Sequence, residues 1–167
     1  KASDNYPKRY PQLKAMFKNS ADIELKHKRF LKEVLETNEV WTLKNENGYV
    51  SSTSHHFEDE DEEPLMLQIF WSSKKEASVV SRHVWPQEKF TLESISLKDF
   101  IEFWCAGMYE DNVIVGTNFD HQLFGYEEAP LLLAKDLLNL VKSNGIEMGL
   151  ENYESIDEYL EIIDTNL

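Results

Sequence analysis

Few residues in this chain have types and spacing that could support chemistry. His55 and His56 precede six consecutive acids, Glu58, Asp59, Glu60, Asp61, Glu62 and Glu63, with only Phe57 between. A block of like charge repels itself and is most simply an exposed, mobile loop. Histidines and carboxylates are also the donors of a divalent-metal site. Such ligands must be fixed in geometry, however, and no glycine-centred calcium loop is present. No metal or other cofactor is therefore expected, and His55 and His56 stand as the alternative. The third reading is an electrostatic lure for a basic partner.

Ser72 and Ser73 follow an apolar run, and Ser73 with Glu76 spells a helix-capping box. Free N–H groups at a helix start after a strand favour a phosphate or a carboxylate. The simpler account is two serines capping a helix, since no glycine accompanies them. A small-ligand pocket near the strand ends would be lined by Trp41, Trp71, Ser72, Ser73, Asn118 and Tyr126, with Trp104 nearby. The same tryptophans equally well fill a core.

For an enzyme, the candidate groups are Cys105, Asp111, Asn118 and His121. A nucleophilic cysteine needs an electropositive, accessible setting and a base. Cys105 lies on an apolar helical stripe among Glu102, Glu110 and Asp111, so no catalytic residue is assigned. His27 falls on another apolar stripe, where a satisfied core histidine is the simpler reading than a ligand.

The elements that must carry these residues are legible from periodicity. After a basic, proline-punctuated lead-in over residues 1–19, with a short helix from about Tyr10 to Lys18, a helix capped at Asn19 or Ser20 runs to about Glu36. Val40–Leu43 and Tyr49–Thr53 predict a hairpin around Gly48. Leu65–Trp71 reads as a central strand buried on both faces. A helix to about His83 and an edge strand over Phe90–Ile95 follow. Leu97, Phe100, Ile101, Trp104, Cys105 and Met108 then give the clearest helical stripe, started by Ser96.

Val113–Phe119 is a strand, with Gly116 marking a bulge or a close backbone approach. Leu123–Tyr126 returns, and Glu127 and Glu128 lead into a helix with Pro130 in its first turn. A last acidic helix is started by Ser155. No internal repeat and no glycine-rich βαβ alternation are present. The expected class is α+β, a small, mostly antiparallel sheet with helices packed on it and extra N- and C-terminal helices, in a single domain over 1–167.

Net charge is −14, and it is unevenly spread. Residues 1–35 hold nine Lys/Arg against four Asp/Glu, and the remainder hold eight against twenty-seven. An acidic body repels phosphate backbones, so no direct nucleic-acid binding is expected. No apolar run reaches membrane-spanning length. One cysteine fits a reducing, cytoplasmic setting. No signal peptide is read, although a start at Lys1 leaves a removed leader open.

Five sequence pieces together resemble a known family. They are Phe30–Val34 with Val40-Trp41-Thr42; Phe70-Trp71-Ser72-Ser73; Phe103-Trp104 with Gly107-Met108 and Asp111; Val115–Phe119; and Gly125-Tyr126-Glu127. In order and spacing they resemble the bacterial domain of unknown function numbered 2750, from about Phe30 to Glu127. The resemblance implies a small cytoplasmic bacterial domain, with a family-like core at 27–127 and a C-terminal helical extension at 129–167. Two departures stand out: the run Glu58–Glu63, and Phe119 where tryptophan is more usual. With the charge map, the leading expectation is a non-enzymatic acidic interaction module, such as an immunity protein against a basic toxin. The alternatives are an anion-binding domain at Ser72-Ser73 and an enzyme of unknown class.

Overall fold

In a computed structural model, which describes the backbone of residues 6–167 and side chains from Ser20 onward, two small sheets share one returning arm. Helix α1 (Tyr6–Thr37) comes first. It runs unbroken through the position where a cap at Asn19 or Ser20 was expected. Asparagine and serine are mediocre rather than forbidden inside a helix, and a long helix absorbs them. Residues 1–5 of the basic lead-in lie outside the described residues, as do the side chains of its apolar positions Leu13, Met16 and Phe17.

Strand β1 (Glu39–Asn45) turns through Gly48, at φ +123°, into β2 (Gly48–Tyr49). The Val50 N–H still bonds to the Leu43 carbonyl. From Ser51 onward the arm changes partner. As β3 (Ser51–Glu58), it pairs antiparallel with β4 (Pro64–Phe70). Strand β5 (Thr91–Ser96) closes the three-stranded sheet β2-β1-β5 as an edge strand. Strands β6 (Ile114–Thr117) and β7 (Tyr126–Glu128) complete the second sheet, β3-β4-β6-β7, in which only β4 and β6 run parallel. An antiparallel bridge between Trp41 and Trp71, and the Thr42 hydroxyl donating to the Ile69 carbonyl at 2.8 Å, tie the two sheets together.

Strand periodicity divides the core in two. Leu67, Ile69 and Trp71 point with Ile114 and Phe119 toward Ala77 and Val80 of α2 (Lys74–Val84). Phe70 and Val115 point the other way, onto α1, α3 (residues 97–110), α4 (Pro130–Ser143) and α5 (Ile156–Asn166). Strand β4 is central as expected, but its first half is exposed, with Met66 at 55%. At all three expected capping boxes the serine half forms. Ser73 accepts from Glu76 N–H, Ser96 from Asp99 N–H and Ser155 from Glu158 N–H. Within α3, Phe100–Trp104 widens to i→i+5 bonding, where Cys105 N–H reaches the Phe100 carbonyl.

The acidic C-terminal helix packs on its own domain. Tyr159 and Ile163 are buried, and Lys142–Asp157 and Lys135–Asp164 pair at its surface. Buried Glu102 anchors the preceding loop by accepting Glu151 and Asn152 N–H groups at 2.6–3.0 Å.

Gly116 is a site of close approach. A Cβ there would lie 2.7 Å from the Phe119 ring, and one on Gly125 would overlap the same ring. Gly125→Ala is therefore expected to cost roughly 1–3 kcal/mol in urea unfolding by overpacking. Phe119→Leu should recover part of that loss in the double variant. Additive losses would show that the ring is not what excludes a side chain at 125.

Candidate functional site

The C-terminal ends of the parallel pair β4 and β6 are where the chain gathers its polar side chains. In sheets with parallel strands this is the edge that receives ligands. Here it opens into a cleft of about 470 Å3 between α1, the start of α2 and the 118–121 turn, lined among others by Lys26, Arg29, Ser73, Lys75 and Asn118. Asn118 sits at φ +48° directly after β6 and is buried. Its amide oxygen accepts Ser72 N–H at 2.9 Å, and its nitrogen donates to the Lys26 carbonyl at 3.2 Å and to Ser72 Oγ at 3.1 Å. It thus pins α1 to the strand-to-helix corner.

Most donors in this cleft are already engaged. Arg29 pairs with Glu33 and Glu76, each at 2.9 Å. Lys26 pairs with Asp120 at 3.2 Å and reaches the Phe124 carbonyl. The Asp120 carboxyl is held low, against its burial, by Phe124 and Gln122 N–H groups and by Lys26. Ser73 Oγ is occupied by the helix cap.

The six residues expected to line one pocket do not share one. Ser73 and Asn118 line the cleft, while Ser72 is buried beside it, donating to Glu33 at 3.3 Å. Trp71 is fully buried and donates from Nε1 to the Phe119 carbonyl at 2.9 Å, which makes it core. Trp41 lies at the bridge between the sheets, with Lys74 Nζ 5.5 Å from its ring. Trp104 packs edge-on against Phe70 and Tyr49. Tyr126 belongs to a different cavity, described below.

The groups considered for catalysis are also dispersed. Cys105 is fully buried, and burial, then Glu128, pushes its thiol far above the ordinary range. Asp111 ends α3, and His121 sits in a turn 5.8 Å from the His83 ring.

The acidic run is ordered rather than a loose loop. Its first residue ends β3, and Asp59 Oδ1 accepts Asp61 and Glu63 N–H groups at 2.8 and 3.0 Å. Asp59 N–H bonds to the Glu63 carbonyl, which closes the hairpin. The local side-chain cap outweighs charge repulsion because the other carboxylates point into water. All six acids are exposed, and no lysine or arginine among the described residues pairs with any of them. Among the described residues, no group of three or more His, Cys, Asp or Glu is placed to hold a metal ion, His55 and His56 included.

One polar cluster escaped the sequence reading. His27, 8% exposed, shares a hydrogen bond from Nδ1 with Thr117 Oγ1 at 2.8 Å and stacks on Tyr126 with centroids 3.9 Å apart. Its Nε2 is 3.7 Å from Glu128 Oε2. Glu127 and Glu128 are strand residues, not free acids at a helix start. Glu127 accepts the Ser54 hydroxyl and the His55 N–H, while Glu128 turns inward. Burial, then Asp136, pushes the Glu128 carboxyl up to about 8, and burial pulls His27 down to about 4 against Asp136. Oε2 of Glu128 is buried and has no hydrogen-bond partner among the described residues, His27 Nε2 standing just beyond bonding distance. The sequence signal was present only in part, as a histidine on an apolar stripe.

Comparison with known proteins matches the chain to a family model. The family model described as "Protein of unknown function (DUF2750)" covers residues 27–137. It extends past Pro130 into α4, so that helix is partly family sequence rather than all extension. No curated protein and no solved structure matches. No helix among the described residues is long and apolar enough to cross a membrane.

Proposed function

Because the chain belongs to the DUF2750 family, whose description assigns no activity, we propose from its own surface that it is an interaction module for a basic protein. One observation carries the reading. The six acids Glu58–Glu63 are held by the Asp59 cap in a closed hairpin with no described cation paired to them. An ordered, unneutralised anionic tip loses little entropy on docking and accelerates encounter with a cationic surface. A toxin with a basic face is the partner class this suits, and the chain would act as its immunity protein. A cytoplasmic setting, where the single Cys105 stays a thiol, accords with that role. The anion-binding reading at Ser72-Ser73 ranks below it, because Arg29, Lys26 and Ser73 are already engaged.

The test is capture of a basic partner at low and high salt by the wild-type chain and by the variant Glu60→Gln, Asp61→Asn, Glu62→Gln, which keeps Asp59. Wild-type affinity should fall steeply with salt. The variant should bind about tenfold more weakly at low salt, on the order of 0.5 kcal/mol per lost pair, with unchanged thermal stability. Salt-independent capture, or equal capture by the variant, would overturn the reading.

A further inference from the structure

A second cavity, of about 430 Å3, lies on the far side of α1 from the cleft at the strand ends, over Tyr126. Ile23, Leu123, Phe124 and Tyr126 give it apolar and aromatic walls, and Glu24 and Glu127 stand among them. The histidines His55 and His56 close one side from β3. Among the described residues, none that lines it is a lysine or an arginine. The neighbouring cation, Lys26, is committed to Asp120 and to the Phe124 carbonyl.

Charge around Tyr126 is negative on several sides. Burial, then Glu128, Asp136 and Glu24, raises its hydroxyl above the ordinary value. Glu127 is spent on Ser54 and His55. Glu24 is exposed and has no cation partner among the described residues. The wall is held firmly. Asp120 N–H and Leu123 N–H close the turn on Phe124 and Asp120 carbonyls, and Leu123 is kept at φ +62°, a conformation that a branched side chain seldom adopts. Phe124 remains 46% exposed on this wall.

An anion entering here meets carboxylates, and a neutral apolar molecule leaves Glu24 unused. We propose that this cavity binds an organic cation with an apolar stem, an alkylammonium or guanidinium compound. The head lies between Glu24 and the faces of Phe124 and Tyr126, where cation–π attraction adds to the ion pair. The stem runs along Ile23 and Leu123. The site uses none of the hairpin acids, so it stands or falls independently of the interaction reading.

The test is an NMR titration of the full chain with n-butylammonium, n-butylguanidinium and, as neutral control, n-pentanol. Saturable shifts at the amides of residues 123–127 are expected, with a Kd on the order of 1 mM for ligands this small. Pentanol should bind at least about tenfold more weakly, as expected when one ion pair and one cation–π contact are lost. Glu24→Gln and Phe124→Ala, both at exposed side chains, should each weaken the cations about fivefold while thermal stability holds. The hairpin triple variant should bind them unchanged. Equal binding of pentanol, unsaturable shifts spread over residues 58–63, or wild-type affinity in both cavity variants would overturn the proposal. A blocked arginine derivative separates the sources. Binding as tight as butylguanidinium supports a site that takes a protein side chain, and exclusion of the blocked derivative supports a small-molecule site.

Discussion

Trp71→Ala is expected to lower unfolding stability by about 4 kcal/mol, seen as a drop in the urea midpoint at unchanged slope. The side chain is fully buried in the cluster that also holds Leu67, Ile69, Ala77, Val80 and Phe119, so truncation leaves a large cavity. It also strands the Phe119 carbonyl, which accepts the indole Nε1–H in the interior. Trp71→Phe separates the two losses. It keeps most of the volume and forfeits the hydrogen bond, for about 1–3 kcal/mol. The backbone of Trp71 would still exchange both bonds with Trp41 at 2.8 Å, so the bridge between the sheets is not itself the variable. A ligand platform would behave otherwise. If Trp71→Ala cost under about 1 kcal/mol, its burial would be the wrong account of this residue.

Stability should also fall as pH rises from about 6.5 to about 8, and Glu128→Gln should abolish that fall. The folded Glu128 carboxyl is raised from 4.5 to about 8, so its contribution is complete below 4.5 and lost as pH climbs through 8. Folded His27 is lowered from 6.5 to about 4, so its contribution is complete above 6.5 and lost as pH falls through 4. Between 4.5 and 6.5 the two slopes offset, because folded and unfolded chains each hold one proton on these two groups. Above 6.5 the unfolded chain holds none and the folded chain still holds one. The loss by pH 8 is at most about 2 kcal/mol, since water reaches the cluster from the Tyr126 side and screens it. Glutamine stands in for the protonated acid, so the variant should be level over the same range and the more stable of the two at pH 8. Wild-type stability that holds or rises across the window would mean that the folded cluster carries no proton there. The ring carbon shifts of His27 report which partner has it.

What the sequence disclosed was local. Ser73, Ser96 and Ser155 each sit three residues before the N–H they accept, and all three helix starts were read from that spacing. Gly116 was read as a bulge or a close approach, and the Phe119 ring against it favours the second. Non-local pairings stayed hidden. Nothing in Tyr49–Thr53 marks Val50 as the last residue bonded to β1 and Ser51 as the first paired with β4. Glu128 looked like an acid at a helix start because its partners His27 and Asp136 come from α1 and α4. Charge repulsion suggested a loose segment at 58–63, while one carboxylate, that of Asp59, supplies the cap that orders it.

The parallel pairing of β4 with β6 also has a consequence for synthesis. Leu67–Phe70 leaves the ribosome long before Ile114–Thr117, the residues it bonds along that edge. Until then the nascent chain presents an apolar strand with a row of unpaired N–H and C=O groups, the template on which other chains add. The preceding hairpin can cover only the opposite edge. The acids Glu58–Glu63 lie immediately before this strand, where a block of negative charge keeps neighbouring nascent chains apart. The same six residues proposed to attract a basic partner in the finished protein would thus also guard its most adhesive strand while the protein is being made.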